Sequence, residues 1–120
     1  MRTHLVISSA GEMLRVSTKQ VVYIAADANY CNLLLSGGEM RLLTCQLGHV
    51  EKLINEQLEE NGRQFIRIGK SVIININKVF YINISRQQLI LMDGTLGRYT
   101  LTASKEALKQ LKDLIEKEDY

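Results

Sequence analysis

Short apolar, β-branched runs, each cut off by a turn signal, limit what this chain can become more than any other feature of it. Leu5-Val6-Ile7, Met13-Leu14-Arg15-Val16 and Val21-Val22-Tyr23-Ile24 are separated by Ser8-Ser9-Ala10-Gly11 and Ser17-Thr18-Lys19. Tyr30 to Leu35 and Met40 to Leu43 flank Ser36-Gly37-Gly38-Glu39. A glycine pair between two apolar runs predicts a hairpin, because tight turns need positive φ at their centre. Asp93-Gly94 repeats the signal between Gln88–Met92 and Leu96–Leu101, and Ile66–Ile76 with Val79–Ile84 completes a β-rich middle. A chain so divided is dominated by short β-strands.

Two segments change period. Leu47, Val50, Ile54 and Leu58 recur at helical spacing with Leu53 beside them, and Glu51, Glu56, Glu59 and Glu60 occupy the other faces. Asn61-Gly62 follows as a helix stop. Leu108, Leu111 and Ile115 repeat the period near the C-terminus, with Ser104 placed to cap the start. Lys109 with Asp113 and Lys112 with Glu116 stand four residues apart, where opposite charges support a helix slightly. The expected product is a mainly β single domain over residues 1–120 with two short amphipathic helices, the first acidic. That acidity puts the basic surface elsewhere.

The bulk properties exclude several classes. The chain has 120 residues, 46% hydrophobic and 23% charged, which suits one soluble core. No apolar run approaches the roughly 18 residues that span a bilayer, so no membrane insertion is expected. Met1-Arg2-Thr3-His4-Leu5-Val6-Ile7 is not a signal peptide, which makes the cytoplasm the expected location. Cys31 and Cys45 are the only cysteines, too few for a zinc site and expected to remain reduced. His4 and His49 lack a Ser, Cys or Asp partner at catalytic spacing, and no paired carboxylates stand in an apolar run. No catalytic residue, metal ligand or cofactor site is expected, and the chain does not read as an enzyme. With no proline in the sequence, a Pro-rich linker is also excluded.

Net charge is only +2, yet between Glu60 and Asp93 there is no acidic residue, while Arg63, Arg67, Lys70, Lys78 and Arg86 all fall inside. A local cluster of this kind marks a surface for a polyanion. At its centre Gly69-Lys70-Ser71 interrupts two apolar runs and reads as a strand end or turn, with Arg67 just before it. It echoes the end of a Walker motif, but Gln64 stands where the upstream glycine would be and no helix follows. The polar break Asp27-Ala28-Asn29-Tyr30-Cys31-Asn32 is either a plain loop or a base-reading one, since amides pair well with adenine.

Taken in order, Tyr23-Ile24-Ala25-Ala26-Asp27, Asn29-Tyr30, Phe65-Ile66-Arg67, Lys70-Ser71-Val72-Ile73-Ile74-Asn75 and Ser104-Lys105 resemble the LytTR DNA-binding domain of bacterial transcription regulators. The resemblance covers roughly residues 12 to 115. Phe-x-Arg-x-x-x-Ser-x-x-x-Asn, Phe65 to Asn75, is its most specific part, and Tyr23 to Tyr30 supports it independently. It implies an elongated β-sandwich of three small antiparallel sheets that meets DNA with loops. Carried onto this chain, it implies three contact regions, reaching successive major grooves and the minor groove between them. They are Asn29, Tyr30, Cys31 and Asn32; then Arg67, Gly69, Lys70 and Ser71; then Ser104 and Lys105. Phe65 and Asn75 are implied to be framework. Two departures stand out. Many members carry histidine near Ile68-Gly69, and the closing Ser-Arg is here Ser104-Lys105. Lysine is a point charge where arginine can grip guanine with two bonds.

The resemblance implies sequence-specific binding of double-stranded DNA, with two copies on paired direct repeats, by a response-regulator-like transcription regulator. The alternative is a protein-interaction or inhibitory module on the same fold that binds a membrane partner or a larger regulator; a membrane-protein antagonist is a further expected partner. Many relatives join this domain to a receiver or to membrane helices. A chain of 120 residues has room for neither, so it is expected to be a stand-alone regulator or an excised domain.

Overall fold

Ten strands and two helices make up the computed structural model, which describes residues 2–118. In chain order they are β1 (His4–Ser8), β2 (Met13–Ser17), β3 (Val21–Asp27), β4 (Tyr30–Leu35), β5 (Met40–Leu43), α1 (Leu47–Leu58), β6 (Phe65–Ile68), β7 (Val72–Asn75), β8 (Val79–Asn83), β9 (Gln88–Asp93), β10 (Gly97–Thr102) and α2 (Lys105–Lys117). Every pairing is antiparallel, in three small sheets: β1-β2, β10-β9-β8 and β5-β4-β3-β7-β6. The extents of 44 × 30 × 28 Å make the molecule elongated.

The five-stranded sheet is the middle layer, and its two faces feed two cores. Ile24, Cys31, Leu33, Leu43, Phe65 and Ile73 point to one side, where Leu5 and Val16 of the β1-β2 sheet and Leu47, Val50, Ile54 and Leu58 of α1 cover them. Val22, Leu34, Val72 and Ile74 point to the other, under Leu89 and Leu91 of β9 and Leu108 and Leu111 of α2. Burial on both faces explains why all four residues of β7 are apolar or bonded and all four are buried. In β10, by contrast, half-buried and exposed residues alternate, as they must where one face meets water.

Side-chain amides close the seams. Asn75, 1% exposed, donates to the carbonyls of Val21 (2.8 Å) and Thr18 (3.4 Å) and accepts from the Asn77 amide (3.0 Å). Gln57 of α1 exchanges two 2.9 Å bonds with the Val6 backbone, acting as a strand neighbour for the outer edge of β1. Asp93 reaches from the β9 end to the Gly37 amide at 2.8 Å and to Lys78 at 3.5 Å, which ties the β4-β5 hairpin to the three-stranded sheet.

Both glycine-marked hairpins and both helical stripes form where the sequence predicts them. Four details differ. Helix α1 ends at Leu58, with Glu59 at φ +50°, and a 3₁₀ segment carries the chain through Gln64. Glu59 and Glu60 therefore lie beyond the helix. Gly62 is a packing glycine, since a Cβ there would meet Ile54 at 3.2 Å; it does not stop the helix. Ser17-Thr18-Lys19 is also more than a turn: Ser17 and Gln20 form a capping box around a 3₁₀ segment.

Candidate nucleic-acid interface

The break predicted as a six-residue loop is a two-residue turn. Strand β3 runs to Asp27 and β4 starts at Tyr30, so only Ala28 and Asn29 lie outside the ladder. Strand alternation then decides which side chains face out. Tyr30 is 48% exposed, Cys31 is 0% exposed in the core and Asn32 returns to the surface. Cys31 is thus a core residue and not part of a contact loop; burial first, then the nearby Cys45 thiol, pushes its own thiol up. Asn32 donates to the Asp27 carboxylate at 3.4 Å, and Asn29 accepts from Gln46, the residue before α1, at 3.4 Å.

The β6-β7 turn holds Gly69, Lys70 and Ser71, all exposed. Gly69 sits at φ +61°, a left-handed conformation that disfavours any side chain even though the space around it is open. The Ser71 carbonyl accepts from the Ala26 amide at 2.7 Å and so fastens this turn to the β3-β4 hairpin. Ser104 precedes α2 and caps it, its Oγ accepting from the Ala107 amide at 3.1 Å. That bond leaves the hydroxyl proton free to donate outward.

The second and third regions meet. Gly69, Lys70 and Ser71 line one surface cleft of about 360 Å³ together with Ser104, Gln87 and Thr102, and none of its lining residues is acidic. Lys105 follows at the first position of α2 and is exposed. Neither Lys70 nor Lys105 is ion-paired among the described residues. Gln87 and Thr102 went unremarked in the sequence. Gln87 ends the 84–87 turn at φ +54°, and its amide group donates to the Ala103 carbonyl at 3.3 Å. The polar stretch Ser85-Arg86-Gln87 between two strands is the signal that marks it.

Arg67 is placed otherwise than expected. It projects from β6 on the α1 side and pairs with Glu51 at 3.0 Å, so the acidic helix lies against the basic turn instead of away from it. Of the other cations in the acid-free window, Lys78 pairs with Asp93 and Arg63 with Glu118. The window is compensated in space by acids from outside it.

Turns and a helix start that gather cations, hydroxyls and amides at one end of a sheet define a β-built, loop-presenting binding domain. The model of the LytTr DNA-binding domain family matches residues 11–116, and the chain belongs to that family. Among solved structures, the LytTr DNA-binding domain of a Bacillus cereus protein is similar over 96% of this chain and 98% of its own, with a TM-score of 0.64 at 16% identity. No curated protein matches the sequence. Membership makes DNA the partner and transcription regulation the usual setting; the family is one of DNA-binding domains, not of enzymes. Among the described residues no three His, Cys, Asp or Glu side chains converge as a metal site requires, and no helix is long and apolar enough to cross a membrane.

Proposed function

We propose that this chain reads duplex DNA by sequence as a cytoplasmic transcription regulator, with two copies on paired direct repeats. The observation that carries the reading is the cleft shared by the Gly69–Ser71 turn and Ser104, with Lys70 and Lys105, free of acidic partners among the described residues, beside it. Lys70, Lys105 and the positive end of α2 suit phosphates, and the hydroxyls of Ser71 and Ser104 can donate to the same oxygens. Asn29, Tyr30 and Asn32 on the hairpin supply base-edge readout, with Gln87 as a further amide within reach of the cleft. The function is binding, with no chemical step.

Selection of bound sequences from random duplex DNA tests this. The expected result is an enriched motif repeated in one orientation and occupied by two copies. Recovery of unenriched sequence would remove the sequence-specific reading.

A second reading, an interaction module held by a regulator or membrane-protein antagonist, has one observation in its favour. Phe80 (64% exposed) and Tyr81 (43% exposed) line a groove with Ile115. Ile115 lies about 16 Å along α2 from Ser104, at 1.5 Å per residue. Repeating the DNA titration with the candidate partner present separates the readings, since an antagonist releases the DNA.

A further inference from the structure

The side chain with the most hydrogen bonds to the basic turn comes from β6 and is only partly exposed. Arg67 Nε donates to the Gly69 carbonyl at 3.1 Å, one terminal nitrogen donates to Glu51 Oε1 at 3.0 Å, and the other reaches the Lys70 carbonyl at 3.5 Å. Its side chain is 28% exposed, beside Gly48 in the first turn of α1. The two carbonyls belong to the turn itself, outside the β6-β7 ladder, whose last pair is Ile68 with Val72. A guanidinium spreads its donors over three nitrogens in one rigid plane, which lets it meet two carbonyls and a carboxylate placed around it.

We propose that Arg67 is a positioning residue for the DNA contact. It clamps the Gly69–Ser71 turn against α1 in the shape that presents Lys70 and Ser71, and it takes no phosphate itself. The inference rests on the DNA-contact reading of that turn and adds a division of labour within it. Gly69 at φ +61° lets the chain reverse tightly, but a glycine turn is also free to take other shapes. The Arg67 bonds select one of them before DNA arrives, which lowers the ordering cost of binding. Glu51 serves two ends: it fixes the guanidinium and cancels the charge that would otherwise draw it to the backbone of the duplex.

A salt titration separates a clamp from a contact. A side chain that neutralises a phosphate contributes about 0.9 to the slope of log affinity against log salt, and one that only shapes the turn contributes nothing. Fluorescence anisotropy on a selected duplex would compare the wild type with Lys70→Ala, Arg67→Ala and Arg67→Lys. Lys70→Ala is expected to reduce the slope by about 0.9. Arg67→Ala is expected to weaken binding on the order of tenfold with the slope unchanged, as loss of preorganisation would. Arg67→Lys is expected to weaken it almost as much, because an ammonium keeps the charge but its donors share one nitrogen and cannot span acceptors set around a planar fork. Amide shifts in the free Arg67 variants should change around residues 67–71, with the melting temperature close to wild type.

A slope reduced by about 0.9 in Arg67→Ala, or wild-type affinity in Arg67→Lys, would make Arg67 a phosphate contact and overturn the clamp. Global unfolding of both variants, or no loss of affinity in either, would overturn it too. If Lys70→Ala changed neither affinity nor slope, the DNA-contact reading of the turn would fail first, leaving nothing for Arg67 to position.

Discussion

Asn75 closes β7 with a carboxamide used on both sides, donating to the Val21 and Thr18 carbonyls and accepting from the Asn77 amide. Asn75→Ala removes the side-chain partner of the Val21 and Thr18 carbonyls at a buried site and of the Asn77 amide at its edge. The cost is about 1–3 kcal/mol, read as a lower urea midpoint at unchanged m-value. An unchanged midpoint would show that the seam holds without it. The framework role of Asn75 was legible through the family resemblance, as the residue that closes Phe-x-Arg-x-x-x-Ser-x-x-x-Asn. Cys31 was not: its neighbours Asp27, Asn29, Tyr30 and Asn32 are polar, and a polar stretch reads as loop. The hairpin turns in two residues, so alternation sends Cys31 inward between two outward neighbours. The pairing of Arg67 was not legible either, because its partner Glu51 lies sixteen positions away on a helix whose packing the spacing alone does not give.

At the scale of elements, Asp93 holds two sheets together. The Gly37 amide first, then the Ser36 hydroxyl and Lys78, hold its carboxyl below the ordinary value of 3.8. A depressed carboxylate contributes stability that is in place above the ordinary value and is lost as pH falls through the lower, folded one. Asp93→Asn is therefore expected to lower the melting temperature at neutral pH. The gap between variant and wild type should close below about pH 4, followed by thermal melts across pH 2–7. A gap constant over that range would mean that the carboxylate charge contributes nothing. The hairpins on either side of this link were legible because Gly37-Gly38 and Asp93-Gly94 have few other uses between apolar runs. Gly37 and Gly94 do carry positive φ, at +91° and +67°. The contact between them is long-range and left no pattern. The end of α1 was misplaced for a related reason: Gly62 serves close packing on Ile54, which looks in sequence like a helix stop.

The whole molecule turns three stretches far apart in sequence into neighbours. The Ser71–Ala26 bond joins the β6-β7 turn to the hairpin, and one cleft joins that turn to the start of α2. A window free of acidic residues suggested one basic patch. Folding pairs three of its five cations with acids from other elements and leaves the exposed charge of the β6-β7 turn to Lys70. DNA is proposed to meet this end of the sheet. Titration of the ¹⁵N-labelled chain with a selected duplex, followed amide by amide, tests it most directly. The largest shifts are predicted at residues 28–32, 69–71, 87 and 102–105, with the Phe80–Ile82 strand and the far end of α2 unmoved. Shifts concentrated on Phe80, Tyr81 and Ile115, with Gly69–Ser71 and Ser104 unmoved, would contradict it.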